Sequence, residues 1–440
     1  MRGHTATRGD DGSAGGRVVG DGRGDRSAGG VTPVRSVDEQ LSLILSGAVR
    51  PAPVRVPIAD AHGLRSAEEV IASRALPGFD QAAIDGYAVR CVDLAGASSE
   101  TPVVLPVVGE IPAGSRHPLR LQPGQAVRVT AGAPLPTLAD AVVPVAHTDG
   151  GAAKLTVQQS VRSASYVRRV GEDVQPGDVA VRRDTVLGAA QVGMLAAAGR
   201  DKVLVHPRPR VSVISVGDEL IDVARTAGSG QIPDVCSHAL TAAARDAGAD
   251  PGRAGLVRGD ARELAAALQD RLPFSDVVVV CGAVGGDTGA EVRAALSDLG
   301  ELDTTRVAMH PGSTQAFGRL GQDAVPTFLF PSHPATALLL FEVMVRPLIR
   351  LALGLADPYR RTVTARLTSP VTSLPGRRGY LRARLLRDRA GDYLVQPLGT
   401  AGTHLLSSLA DCNGLIVLPE QLTEATVDES VSVAFLPTRA

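Results

Sequence analysis

The middle of this chain alternates short runs of apolar β-formers with helix-length stretches, and each run ends in glycine or proline. Val211-Ser212-Val213-Ile214-Ser215 is an apolar strand ending in Gly217-Asp218-Glu219. A helical stretch over 239–247 follows, and then 276–281 supplies Val277-Val278-Val279-Val280, a run with no polar face, as expected of a strand covered on both sides. A further helix over 291–299 leads to Thr327-Phe328-Leu329-Phe330, which passes through Pro331-Ser332-His333-Pro334 into a long apolar helix over 335–353. Strands alternating with helices predict a parallel sheet with right-handed crossovers. Ligands of such sheets bind at the carboxyl ends of the strands. The segments 217–219, 282–289 and 331–334 all fall there.

The flanks read differently. Ser36 and Glu39 fit a capping box that opens a helix with Leu41, Ile44 and Leu45 on one face, and Pro51 and Pro53 end it. Beyond it, runs at 103–105, 126–129 and 141–143 are strand-length and bounded by Pro and Gly. After Gly354 the chain turns β again: 381–385 alternates, and Asn413-Gly414 is a turn signal ahead of 415–418. The expected fold is therefore α/β and multi-domain. A β-rich N-terminal region (31–205) and a small C-terminal β domain (354–440) flank a central parallel α/β domain (206–353). The arginines at 377, 378, 382, 384, 387 and 389 read as a solvated strand face rather than an anion patch, because Arg382 and Arg384 share one side of a period-2 pattern.

Composition bounds the function classes. Hydrophobic residues make up 44% and charged residues 21%, as in globular proteins, and the length suits about three domains. No apolar run reaches the ~18 residues of a membrane span. A net charge of −1 gives no reason to expect nucleic acid or an anionic membrane as partner. The first 30 residues hold ten glycines and almost no large apolar side chains, so they read as a disordered tail without the apolar core of a secretory signal, which predicts a cytoplasmic protein. The four cysteines, Cys91, Cys236, Cys281 and Cys412, form no CxxC pair and read as small buried hydrophobes rather than zinc ligands or disulfides.

Few residues carry chemistry on local evidence. Asp218 and Glu219, adjacent at a strand end, suit Mg²⁺, a hard cation that takes oxygen ligands and bridges to phosphates; the competing reading is that one of them caps the next segment. Asp85, in Ile84-Asp85-Gly86-Tyr87, is by itself a plain turn residue. The glycine-rich run from Cys281 to Gly289, with Gly282, Gly285 and Gly286, permits close backbone approach and opens a helix whose N-terminal amides attract phosphate. It is neither GxGxxG nor GxxxxGK[ST], so dinucleotide and Walker readings fail.

Taken in order, the motifs of residues 31–440 resemble the MoeA family, the prokaryotic molybdopterin molybdenumtransferases, whose eukaryotic relative is the gephyrin E domain. The carriers are Pro77-Gly78-Phe79-Asp80 with Ile84-Asp85-Gly86-Tyr87, Gly132-Ala133-Pro134-Leu135-Pro136 before Asp140, and Arg168-Arg169 before Gly171-Glu172-Asp173. Gly217-Asp218-Glu219-Leu220, Gly230-Gln231-Ile232 with Asp234, and Pro311-Gly312 before Ala316-Phe317-Gly318 complete them. The resemblance implies insertion of molybdate into the dithiolene of adenylylated molybdopterin, hydrolysis of the adenylate with a divalent metal such as Mg²⁺, and an N-terminal region of two subdomains. It also implies a homodimer whose cleft lies between the central domain of one subunit and the N-terminal region of the other, with other cofactor-biosynthesis proteins as potential partners. By matching position, Asp85, Asp173, Asp218, Glu219 and Asp234 are the acidic and metal-proximal groups. A pyrophosphate and an oxyanion approach carboxylates only across a cation.

The chain departs from the family pattern at several places. The carboxylate expected after the glycine run is Ala290, with Asp287 and Glu291 as neighbouring substitutes. The Lys-Pro-Gly-Lys-Pro motif reads His310-Pro311-Gly312-Ser313-Thr314, Pro-Gly-Asn-Pro reads Pro331-Ser332-His333-Pro334, and Ala131 and Gln81-Ala82 replace family residues. The chain has only two lysines, so arginine is its habitual cation, yet neither stands at 310 or 313. A cation about 4 Å from an anion is worth roughly 4 kcal/mol gross at an effective dielectric near 20. Two readings follow: a molybdenum-insertion enzyme in which His310, Ser313, Ser332 and His333 face the anion, or a degenerate paralogue that binds molybdopterin or a pathway partner without turnover. A scaffold that binds a partner peptide between the central and C-terminal domains is the third.

Overall fold

The structure, a computed structural model, describes residues 34–116, 119–284, 288–399 and 406–436. The glycine-rich tail, Gly285, Gly286 and Asp287 lie outside these residues.

At the centre stand strands β1 (Arg210–Val216), β2 (Asp250–Val257), β3 (Val277–Cys281), β4 (Ala316–Leu320) and β5 (Val325–Phe330), with helices α1 (Cys236–Ala247), α2 (Ala261–Arg271), α3 (Thr288–Leu296), α4 (Pro334–Leu340) and α5 (Arg346–Ala352). The sheet runs β2-β1-β3-β5-β4, with Leu302–Asp303 beyond β4. One face carries α1, α4, α5 and the phenylalanines 317, 328, 330 and 341; the other carries α2 and α3 over Ile214, Val278 and Val280. That two-sided cover is why every residue of β3 is buried.

The sheet is mixed where the sequence predicted a parallel one. β2, β1, β3 and β5 run parallel, but β4 and Leu302–Asp303 pair antiparallel. Only a short loop, with Gly321 and Ala324 at positive φ, joins β4 to β5, and a loop that short reverses the chain instead of crossing over it. β2 and α2 are absent from the sequence reading because β2 is a half-exposed edge strand holding Gly252 and Gly255, with no apolar run to see. The long apolar helix is two helices joined by a π-turn, Phe341–Val345.

The first helix, Val37–Leu45, carries the expected capping box, with the Ser36 side chain accepting from Glu39 N–H and Glu39 reaching back to Ser36 N–H. Its buried face is Val37, Gln40, Leu41 and Ile44, and it packs into the central core rather than onto the β-rich region that follows it. That region holds a five-stranded sheet, ordered Lys154–Val157, Val103–Ile111, Ala126–Val129, Gly86–Val89, Ala141–Pro144. A smaller sheet has Lys202–His206 between Val54–Pro57 and Arg65–Ser66. At the C-terminus, Arg378–Arg387, Tyr393–Pro397, Thr362–Leu367, Ser430–Phe435 and Gly414–Leu418 close into a small barrel, since the last strand pairs back onto the first. Met309–His310 adds to this barrel in parallel beside Arg378 and Gly379, so the central and C-terminal units share a seam there. Arg384 and Arg387 face solvent, whereas Arg378 is bound to Asp38 and Glu420.

Candidate functional site

β1, β3 and β5 end together, and glycine lets them. Gly282 has φ +104° and donates its N–H to Phe330 O at 2.8 Å. A Cβ at this position would lie 2.1 Å from Val216 O, so only glycine fits between the ends of β1 and β3.

At the end of β1 the two carboxylates diverge. Asp218, exposed, accepts the Gly259 N–H at 3.1 Å and so turns toward the loop between β2 and α2. Glu219, also exposed, folds back over Gly217, where a Cβ would come within 2.6 Å of its Oε2. It borders a cavity of about 200 Å³ with Asp234, Cys236, Cys281, Ser332 and His333.

Asp234 is fully buried, and its oxygens accept from Ser215 Oγ at 2.8 Å, from Ser237 N–H at 3.0 Å and from Ser237 Oγ. Arg253 lies 4.0 Å away and donates to Ser237 Oγ at 3.0 Å. Asp234 therefore lines the cavity while its carboxylate fixes the start of α1. Cys236 donates to Ser332 O at 3.4 Å and Cys281 to Pro331 O at 3.2 Å. The neighbouring Cys236 thiol, burial and the nearby Asp234 push the Cys281 thiol well above the usual range.

The other candidates lie elsewhere. His310, half-buried, precedes a cis bond to Pro311 at the seam with the C-terminal barrel. Ser313 lies close by and its carbonyl accepts the Val307 N–H at 3.0 Å. Gly312, at φ +103°, leaves no room for a Cβ, which would meet Leu340 Cδ2 at 2.8 Å. Ala290 is exposed on α3, and Glu291 faces the groove between α2 and α3 with Arg262 and Gln269. Asp85 is exposed and accepts the Ala131 N–H at 2.7 Å, so the residue at 131 holds the Asp85 loop through its backbone. Asp173, also exposed, pairs with Arg168, and Arg169 with Asp80 at 2.5 Å. Burial works against the Asp80 charge, yet the Val170 N–H and Arg169 hold its carboxyl below the ordinary range. Neither Asp85 nor Asp173 lines the strand-end cavity of its own chain.

The sequence reading brought Glu219, Ser332 and His333 to one end of the sheet and took Asp234 from the family resemblance, and the structure places all four on one cavity. Cys236, Cys281 and Arg253 were not read as site residues. The polar partner of Asp234 comes from the unforeseen strand β2, and no local pattern marks the meeting of two distant cysteines.

Three family models match in order: the MoeA N-terminal region (domains I and II) over 35–199, a probable molybdopterin binding domain over 212–351, and the MoeA C-terminal region (domain IV) over 364–436. The chain is 55% identical over 422 residues to molybdopterin molybdenumtransferase 1 of Mycobacterium tuberculosis, covering 92% of this chain and 99% of that protein. It is 37% identical to molybdopterin molybdenumtransferase 2 of the same species, covering 91% of this chain and 99% of that protein. A solved structure of a molybdopterin biosynthesis MoeA protein from Pyrococcus horikosii superposes with a TM-score of 0.75 at 30% identity, over 92% of this chain and 99% of that one. The chain belongs to the MoeA family of molybdopterin molybdenumtransferases, a family of transferases in molybdenum cofactor biosynthesis.

Proposed function

We propose that this protein inserts molybdate into adenylylated molybdopterin and releases AMP. The observation that carries the reading is the strand-end cavity, where Glu219 and the Ser332-His333 loop converge on a glycine-forced junction, in a chain matched along its length by MoeA models.

Mg²⁺ suits the donor set in one way only. Among the described residues no group of three or more His, Cys, Asp or Glu could hold a metal ion, so a cage made by the protein alone is not available. Asp218 and Glu219 are hard oxygen donors and exposed, which fits an ion bound by one or two carboxylates and completed by substrate phosphates. Once bound, Mg²⁺ would supply charge neutralisation at the pyrophosphate. The protein's own groups would orient the substrate: Glu219, Ser332 and His333 line the cavity, and Asp218 is held at its margin by the Gly259 N–H. His310 and Ser313 stand where the family carries lysines, an imidazole and a hydroxyl in place of two permanent cations.

A homodimer completes this reading. Asp85 is exposed on a loop held by the Ala131 N–H, Asp173 is exposed and paired with Arg168, and Phe79, Tyr166 and Val170 have exposed side chains in the same region of sequence. That combination suits presentation to a second copy. We place the protein in the cytoplasm; no helix among the described residues is long and apolar enough to cross a membrane. The proposed domain boundaries remain 31–205, 206–353 and 354–440.

Anaerobic incubation of the purified chain with adenylylated molybdopterin, molybdate and Mg²⁺ tests the proposal, with AMP release as the expected result; its absence from a properly folded dimer would overturn it. The degenerate reading instead expects tight calorimetric binding without turnover, and turnover rescued by Ala290→Asp with His310→Lys.

A further inference from the structure

The four cysteines are far apart in sequence, yet two of them meet. Cys236 is the first residue of α1 and Cys281 the last of β3. Each thiol donates to a carbonyl of the same loop, Cys236 to Ser332 O at 3.4 Å and Cys281 to the preceding Pro331 O at 3.2 Å, and the two thiols are close enough for Cys236 to raise the affinity of Cys281 for its proton. Consecutive carbonyls thus hold the two sulfurs side by side. Both residues are almost wholly buried, at 6% and 2% exposure, but both border the cavity that Glu219 and His333 share. At about 200 Å³ that cavity admits molecules of water size. Cys91 is bound instead to the Asp140 carboxylate and Cys412 to the Leu409 carbonyl.

We propose that Cys236 and Cys281 form an oxidisable dithiol, closed to a disulfide by a small hydroperoxide that enters the cavity. One sulfur releases its proton and, as thiolate, attacks a peroxide oxygen; the O–O bond breaks, the departing oxygen takes up that proton, and a sulfenic acid and, from hydrogen peroxide, water result. The second sulfur attacks the sulfenic sulfur; the S–O bond breaks, the S–S bond forms, and a second water leaves with the remaining thiol proton. The two sulfurs lose two electrons and the peroxide gains them. The product staples the start of α1 to the end of β3 beside Glu219. This inference concerns thiol chemistry and stands apart from the proposed transfer reaction.

The test treats the purified full-length chain with hydrogen peroxide, traps remaining thiols by alkylation and maps peptides by mass spectrometry, in native buffer and in concentrated urea. In native buffer the expected product is a peptide pair joined through Cys236 and Cys281, two hydrogens lighter than its reduced parts and restored by dithiothreitol. In urea that selectivity should vanish, because proximity is lost. Cys236→Ser should leave Cys281 without a disulfide partner, and Cys281→Ser should do the same to Cys236. Sulfinic acid at either residue without the joined pair, or equal formation of the pair in urea, would overturn the proposal.

Discussion

Both terminal nitrogens of Arg378 sit 2.8 Å from the two carboxylate oxygens of Asp38, a bidentate pair between residues 340 positions apart. Arg378 Nε also donates to Glu420 at 3.0 Å, so one guanidinium ties the first helix to the C-terminal barrel. The same residue lies opposite Met309 in the strand that carries His310. The geometry of the seam thus depends on an ion pair that joins the two ends of the chain.

Replacing Arg378 with Met keeps most of the apolar stem and removes the fork. Asp38 is 72% exposed, so solvent screens the pair, and the expected loss is about 1 kcal/mol in urea denaturation. Hydrogen bonding to Arg378 holds the Asp38 carboxyl below its ordinary value, so this stabilisation is present above the unfolded pKa of 3.8 and fades as pH falls through the lower folded one. The difference between wild type and variant should therefore shrink below about pH 4; a difference that stays constant to lower pH would contradict the pairing.

Asp234→Ala should cost about 3 kcal/mol, because it strands the buried hydroxyls of Ser215 and Ser237 and the buried Ser237 N–H. Thermal unfolding reads this directly. A variant with unchanged Tm would mean that the carboxylate faces the cavity rather than the protein interior.

Two glycines of one segment should respond oppositely to alanine. Gly282→Ala meets Val216 O at 2.1 Å from a left-handed backbone and should lose about 3 kcal/mol or fail to fold. Gly289 is the second residue of α3, an added Cβ there meets nothing within 4 Å among the described residues, and Gly289→Ala should gain roughly 0.5 kcal/mol from helix propensity. Calorimetric Tm values for both variants check the pair.

Asp218→Asn and Glu219→Gln alter exposed side chains and should leave Tm nearly unchanged. AMP release should fall on the order of 100-fold, with the Mg²⁺ requirement shifted upward. Equal activity at saturating Mg²⁺ and at trace Mg²⁺ would remove the metal role from both residues.

If Asp85 reaches the cavity of a second copy, Asp85→Asn and Asp218→Asn subunits should complement when mixed. Random exchange leaves about a quarter of the sites intact, so activity should recover to about that fraction of wild type. No recovery despite exchange would place Asp85 outside the site.

Much of this was legible because it is local or dictated by burial. Val277 to Val280 has no polar face and is covered on both sides, so the run announces the sheet interior. Ser36 and Glu39 encode their capping box within four residues. Ligand sites of such sheets lie at strand carboxyl ends, which located Glu219 and the 331–334 loop from the sequence alone. The rest depends on distant partners. β2 needed no apolar run because it lies at an edge, and without it the Arg253 partner of Asp234 could not be seen. The reversal at 321–324 turned one side of the sheet antiparallel. The register that pairs Ser215 with Cys281 helps bring α1 and β3 together at one end of the sheet, where Cys236 and Cys281 meet. The sequence by itself determined the buried strands β1, β3 and β5 and the loops at their carboxyl ends, through side-chain periodicity and the glycines and prolines that end each run. Only the tertiary structure decided which of those residues touch, because parallel pairing and domain seams join positions that no local pattern links.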